Sequence, residues 1–287
     1  MNAPRTERNL KSLRHISERK RKILIAIERY GSLDSKHLSL ISGLNQKNMA
    51  EPARELFDAG LVDRPPNNLY RRDRFKDAQV YKSTALGLDW LERNDLVPPR
   101  AMWRGAGGQP HHDLTACHVL ASIEAAHREA GLEFYTWEQI LDKAPEATRN
   151  LKNPYRFTTD HGDLVPDAIF TTGYGNDQFR ISFLEVDLSD HGEKAYRLKA
   201  QQYNQLIFKG IYKKRLGVSQ HARVLTVTSN STRRNIMVEH TQKQDPSLFK
   251  VAPQYGSFEI PAPPALTILE DWHWPAKPNA PVTLATI

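Results

Sequence analysis

The chain has 287 residues, 39% of them hydrophobic, with a mean hydropathy of −0.59 and a formal net charge of +7. That is enough apolar material for one large core or two modest ones, and too polar for a membrane protein. The single cysteine, Cys117, excludes an internal disulfide framework and any multi-cysteine zinc or iron–sulfur site.

The longest apolar run near the start, residues 23–27, is far short of the ~20 residues of a spanning helix and of the ~7–15 of a secretory segment. The expectation is a cytoplasmic protein with no membrane partner. Residues 1–100 hold 20 Lys+Arg and 13 Asp+Glu, whereas residues 101–287 hold 20 of each, so the whole excess of +7 lies in the first third. A basic module joined to a neutral one points to a polyanionic partner for the first, most simply DNA.

In that first third, Ile23, Ile27 and Tyr30 recur at helical spacing and predict a helix over residues 17–30, ended by Gly31. Asp34 is placed to cap a second helix over 35–41, and residues 42–45 form the turn that follows. A third helix over 46–59 turns Met49, Ala53, Leu56 and Phe57 inward, and Asn45, Lys47, Asn48, Glu51 and Arg54 outward. Residues 61–64 and 79–83 read as two strands; the loop between them carries Arg71, Arg72, Arg74 and Lys76 against Asp73 and Asp77. A last helix covers 84–93. Three helices followed by a ribbon with a basic tip resemble the winged-helix form of helix-turn-helix, whose third helix enters the major groove while the ribbon meets the backbone. On that resemblance Lys47, Asn48, Arg54, Arg71, Arg72, Arg74 and Lys76 are the expected DNA-binding residues.

Prolines and glycines mark residues 98–110 as a linker. A helix follows over 111–130 with Leu114, Cys117, Leu120, Ile123 and Ala126 as its buried stripe. Strands are expected over 132–137, 164–172, 178–188 and 222–229, with helices over 193–208 and 231–242. Residues 251–287 are proline-rich and read as an extended strap. The predicted organisation is therefore a basic domain over 1–97, a linker over 98–110, an α/β domain over 111–250 and the strap, an α+β protein overall.

By strand period Phe179, Ile181, Phe183, Glu185 and Asp187 share one face, and Asp167 lies in the neighbouring strand just after Pro166. Three carboxylates converging in a partly desolvated place repel unless a cation or protons intervene. An oxygen-rich cluster of this kind suits Mg²⁺ or Mn²⁺, which can activate a water and neutralise a phosphodiester.

The words LVPDAIF and FLEVDLSD resemble the PD-(D/E)xK nuclease signature, and the element order resembles that restriction-endonuclease-like core. With GLVDR, VYKSTALGLDWL, HHDLTACHVLASI and FLEVDLSDHGEKAYRLKAQQY, the chain is similar to the replication-relaxation family, which includes plasmid-mobilisation relaxases. The resemblance implies an N-terminal winged-helix domain on a nuclease-like core. It also implies DNA and other mobilisation or replication proteins of a mobile element as partners, and a relaxase-type, metal-dependent nicking activity. Asp167, Glu185 and Asp187 would then hold the metal. Asp187 stands where the signature has its lysine. Tyr196, Lys199 and Tyr203 lie on one stripe of the following helix, so Lys199 is the candidate migrated lysine and Tyr203 a candidate phosphate ligand or nucleophile. Asp167, Glu185, Lys199 and Tyr203 are the candidate catalytic residues. A non-enzymatic DNA-binding regulator on an inactive core is the other reading, and the Asp187 departure favours it.

His111, His112, His118 and His127 read as surface or core histidines, while His161 and Asp163 stand at the edge of the expected site. No G-x-x-x-x-G-K-[ST] motif occurs, which argues against an NTP-driven motor. Cys117 falls on a buried stripe and reads as inert core.

Overall fold

In the computed structural model, residues 16–65, 79–96, 110–188, 192–228, 231–242, 249–251, 269, 272–273 and 281–285 are described. Arg71, Arg72, Arg74, Lys76 and all but the last residue of the expected linker lie outside them. The chain divides into two compact units between Ser122 and Ile123, inside a helix rather than at the linker.

The first unit opens with α1 (Glu18–Tyr30), whose N-cap Ser17 accepts from the Lys20 amide and whose end is set by Gly31 at φ +78°. Then come β1 (Ser32–Asp34) and α2 (Ser35–Ser42), where the Asp34 carboxylate accepts the His37 amide at 2.8 Å and so satisfies one of the open donors of the first turn. The expected third helix is split at Met49: a 3₁₀ turn over Gln46–Asn48 is capped by Asn45, and α3 runs Ala50–Asp58. Pro52 is the third residue of α3, where its missing N–H has no intrahelical partner to lose. β2 (Val62–Asp63), β3 (Val80–Ser83) and α4 (Ala85–Arg93) follow, capped at Thr84. The three strands form one antiparallel sheet in the order β1-β3-β2. Ile23, Leu24, Ile27, Leu33, Leu38 and Leu56 are fully buried at its centre, each stabilising the fold by roughly 1.5–3 kcal/mol relative to an exposed side chain. Gly87 lets α4 lie against the chain at Leu61: a Cβ there would meet the Leu61 carbonyl oxygen at 2.1 Å.

α5 (Pro110–Glu129) supplies its first part to this unit. There Cys117 donates to the Tyr30 carbonyl at 2.8 Å, and burial raises its thiol to about 12, which leaves it inert.

The second unit takes the rest of α5, then β4 (Glu133–Tyr135), α6 (Trp137–Lys143) and α7 (Glu146–Arg149). The expected strand over 132–137 is cut short because Thr136 starts α6, its amide bonded to Gln139 Oε1 at 2.8 Å. The hairpin β5 (Phe157–Thr159) and β6 (Gly162–Leu164) precedes β7 (Ala168–Gly173) and β8 (Phe179–Asp187). The single strand expected over 164–172 is broken at Val165-Pro166-Asp167, where proline offers no ladder donor. α8 (Glu193–Phe208), α9 (Ile211–Leu216), β9 (Ala222–Thr228) and α10 (Ser231–Gln242) follow. β10 (Phe249–Val251), β11 (Trp272–His273) and β12 (Pro281–Val282) are short strands, two of them in the region read as a strap.

Among the described residues, seven strands make one mixed sheet in the order β12-β11-β10-β9-β8-β7-β4. β4, β7 and β8 are antiparallel, whereas β8, β9 and β10 run parallel through helical crossovers. One face of β8 packs Phe183 against the rings of Phe157, Tyr203 and Tyr212, 5.8–5.9 Å away. On the other face, Arg223 donates to Ser182 and Thr172, and Thr172 bonds His127 Nε2 at 2.9 Å. No helix among the described residues is long and apolar enough to cross a membrane.

Candidate functional site

The acidic residues gather where β8 and β9 end side by side. Register pairs Ala168 with Leu184, so Asp167, the residue before β7, stands beside Glu185. The Asp167 amide donates to the Leu184 carbonyl at 3.0 Å, and its Oδ2 accepts the Val186 amide at 2.7 Å. Asp167 is thus at the strand's entrance rather than in its middle, clamped to the backbone of β8 by both bonds.

Glu185 is 4% exposed. Lys199 Nζ donates to its Oε2 and the Tyr203 hydroxyl to its Oε1, both from α8. One turn separates Lys199 from Tyr203, so the two donors reach one carboxylate from one stripe. Burial raises the Glu185 carboxyl, to about 7, opposed by the Lys199 ammonium and assisted by the Asp167 charge. Burial works against the Lys199 charge, but Glu185 and Asp167 outweigh it, and the ammonium is held above its ordinary value. Burial and the Glu185 charge push Tyr203 well up, so its hydroxyl stays protonated.

Asp187 follows two residues later on the same face. It meets Arg233, from the first turn of α10, through two bonds, Nε to Oδ1 at 3.2 Å and an outer nitrogen to Oδ2 at 2.8 Å. Both side chains are 10% exposed, and the guanidinium lies 5.9 Å from the Tyr196 ring centre. Tyr196 itself faces Thr226 of β9, 3.4 Å between hydroxyl oxygens.

The structure therefore brings together Asp167, Glu185, Lys199 and Tyr203. Asp187 is taken up by an arginine, and with Asp167 and Glu185 it does not form a trio of ligand atoms within 4.8 Å of one another. Lys199 and Arg233 answer two of the three charges. His161 is exposed in the β5–β6 turn, and Asp163 bonds Thr158 and Arg156, at the edge of α8: Gln202 Nε2 donates to the carbonyls of both His161 and Asp163. Lys47, Asn48 and Arg54 are all exposed in the first unit, as are Asn45 and Glu51.

Two features escape a reading of sequence alone. Arg233 lay in a helix assigned only to close the fold, although a helix leaving the parallel neighbour of β8 begins beside its end. Asp34, His37 and His118 form a buried group in the first unit; Asp34 and His37 are three residues apart, but His118 lies 84 positions from Asp34. Compared with protein-family models, curated proteins and solved structures, the chain matches none.

Proposed function

We propose that the chain is a DNA-binding protein whose first unit is a winged-helix head and whose second unit is a metal-dependent DNA-nicking centre of the PD-(D/E)xK kind. The observation that carries this reading is Glu185: a nearly fully buried carboxylate beside Asp167, met by a lysine from the next helix. The order of β4, β7, β8, α8 and β9, with β8 parallel to β9, supports this reading. Exposed Lys47, Asn48 and Arg54 on the 3₁₀ turn and α3, with the +7 excess of the first third, support the DNA-binding head.

The donor set suits Mg²⁺ or Mn²⁺, because Asp167 is held against the backbone of β8 beside Glu185 and a dication relieves the repulsion between the two charges. When bound, that ion supplies charge neutralisation at the phosphate and an acidified water. Asp167 and Glu185 would hold it. Asp187 is engaged by Arg233 and is not needed for the set. Lys199, whose side chain is 38% exposed, can turn from Glu185 toward a non-bridging phosphate oxygen and stabilise charge that develops there. Tyr203 is buried and protonated, so its role is to hold Glu185 in place as a positioning residue rather than to attack phosphorus.

The test is nicking of supercoiled plasmid carrying the cognate origin, with Mg²⁺ or Mn²⁺. Asp167→Ala and Glu185→Ala should each abolish it. A second reading, a DNA-binding regulator on an inactive core, draws on the Asp187–Arg233 pair, which fills the lysine position of the signature with a closed ion pair. It requires origin binding without metal-dependent nicking.

A further inference from the structure

A second set of metal-ligand side chains stands in the first unit, apart from the acidic site. Asp34 ends β1, His37 lies in the first turn of α2 and His118 comes from the first part of α5. All three side chains are buried, at 5%, 8% and 3% exposure. His37 Nδ1 lies 2.8 Å from Asp34 Oδ1 and His118 Nε2 lies 3.8 Å from Asp34 Oδ2; the three ligand atoms are all within 4.8 Å of one another.

We propose that Asp34, His37 and His118 form a binding site for a divalent transition ion of the Zn²⁺ class, which fastens the first part of α5 to the turn between β1 and α2. A tetrahedral ion with bonds of about 2.0–2.2 Å sets neighbouring donor atoms about 3.3–3.6 Å apart, within the spread found here. The donor set decides the class: two imidazole nitrogens and one carboxylate oxygen suit Zn²⁺ and its neighbours, whereas Mg²⁺ and Ca²⁺ prefer oxygen alone.

The hydrogen bonding carries the argument further. The Asp34 amide donates to His118 Nε2 at 3.4 Å, so that nitrogen bears a lone pair. The same nitrogen faces the Asp34 Oδ2 carboxylate oxygen at 3.8 Å. Two acceptors confronting each other in a buried place repel; a cation between them turns that repulsion into two bonds, in exchange for the 3.4 Å bond from the Asp34 amide that uses the same lone pair. The His37 and His118 rings are stacked, 3.9 Å between centres and 7° between planes, an arrangement in which two protonated imidazoles would oppose each other. Lone pairs in parallel planes do not meet at one point, so binding requires the two rings to rotate out of the stack until both nitrogens face the ion. Asp34 Oδ1 keeps its bond to the His37 amide, so ion binding does not uncap α2, whereas the His37 Nδ1–H that now donates to the same oxygen gives up its proton for the ion. Three protein ligands leave a fourth position for a water.

The experiment uses the full chain without an added histidine tag, stripped with chelator and titrated with Zn²⁺ by calorimetry and with Co²⁺ by visible absorption. One tight equivalent is expected, with Co²⁺ giving tetrahedral d–d bands. His37→Gln and His118→Gln should each weaken it by more than the about 10–100-fold typical of losing an outer-shell partner. Glu185→Gln should leave it unchanged, which separates this site from the acidic one. If a histidine variant fails to fold by circular dichroism, Asp34→Asn serves instead, because asparagine caps α2 as well as aspartate does while removing the charged ligand. Unchanged affinity in the folded variants, loss of the equivalent in Glu185→Gln, or no Zn²⁺ bound by the folded wild type would each overturn the proposal.

Discussion

Lys199 and Glu185 form an ion pair between the second turn of α8 and the end of β8, with the lysine 38% exposed and the glutamate 6%. One partner reaches solvent and the other does not, so the lysine can leave while the carboxylate stays fixed. Lys199→Met leaves Glu185 buried with the Tyr203 hydroxyl still donating to it. Breaking a fully buried pair costs about 3–5 kcal/mol. The exposure of Lys199 lowers that to about 1–2 kcal/mol, measurable by urea denaturation. Nicking should slow by more than this stability loss explains, with metal affinity little changed.

Asp187 and Arg233 are equally buried, and their two bonds fix the geometry. Arg233→Ala should destabilise the protein by about 2–4 kcal/mol because it strands a buried anion. The double variant Asp187→Asn with Arg233→Ala should recover at least about 1 kcal/mol of that in a thermodynamic cycle. Calorimetric Mg²⁺ titration of Asp187→Asn should match the wild type, since Arg233 holds that carboxylate away from the proposed metal.

His127 gives a pH dependence. Burial lowers its imidazole from 6.5 to about 4, against the pull of its bond to the Ile123 carbonyl. The folded state thus prefers the neutral ring, so this contribution is complete above pH 6.5 and is lost as the pH falls from 6.5 toward 4. Its full size is up to about 3 kcal/mol. In His127→Leu the fall of unfolding free energy across that window should be shallower than in the wild type, by chemical denaturation at stepped pH.

Much of this was legible in the sequence because the signals were local. Asp34, read as a cap, starts α2, and the helices expected over 17–30 and 84–93 appear as α1 and α4. Strand period put Glu185 and Asp187 on one face, and helical spacing put Lys199 and Tyr203 on one stripe; their meeting follows from the crossover between β8 and β9. The rest depended on tertiary contact. β1 is three residues long and offers no alternation to read. α6, α7 and α9 are short, and β11 and β12 are two-residue strands in a proline-rich stretch, held by pairing that composition does not announce. Arg233 was missed because an arginine at a helix start reads as solvated. The Asp34–His37–His118 group was missed because a capping role already accounted for Asp34.

Lys47 and Arg54 are exposed on the 3₁₀ turn and on α3. Lys47→Ala combined with Arg54→Ala should weaken binding to duplex DNA of any sequence. The slope of log affinity against log salt should become shallower by about 2 if both meet phosphates. Fluorescence anisotropy at several salt concentrations measures both.

Gly87 has a Cβ position 2.1 Å from the Leu61 carbonyl oxygen and 2.8 Å from Glu28 Oε1. Gly87→Ala should therefore destabilise the first unit by about 1–3 kcal/mol through overpacking, despite the better helix propensity of alanine. Thermal unfolding reports the outcome as a lowered midpoint.

The proposed cutting of DNA by Asp167 and Glu185, served by Lys199 and a divalent ion, is read out by the time course of nicking of supercoiled cognate plasmid in Mg²⁺, comparing wild type with Glu185→Gln. Open circles are expected from the wild type, none with chelator, and none from Glu185→Gln at matched folding and DNA affinity. Equal nicking by wild type and Glu185→Gln, or origin binding by the wild type with no metal-dependent nicking, would contradict it.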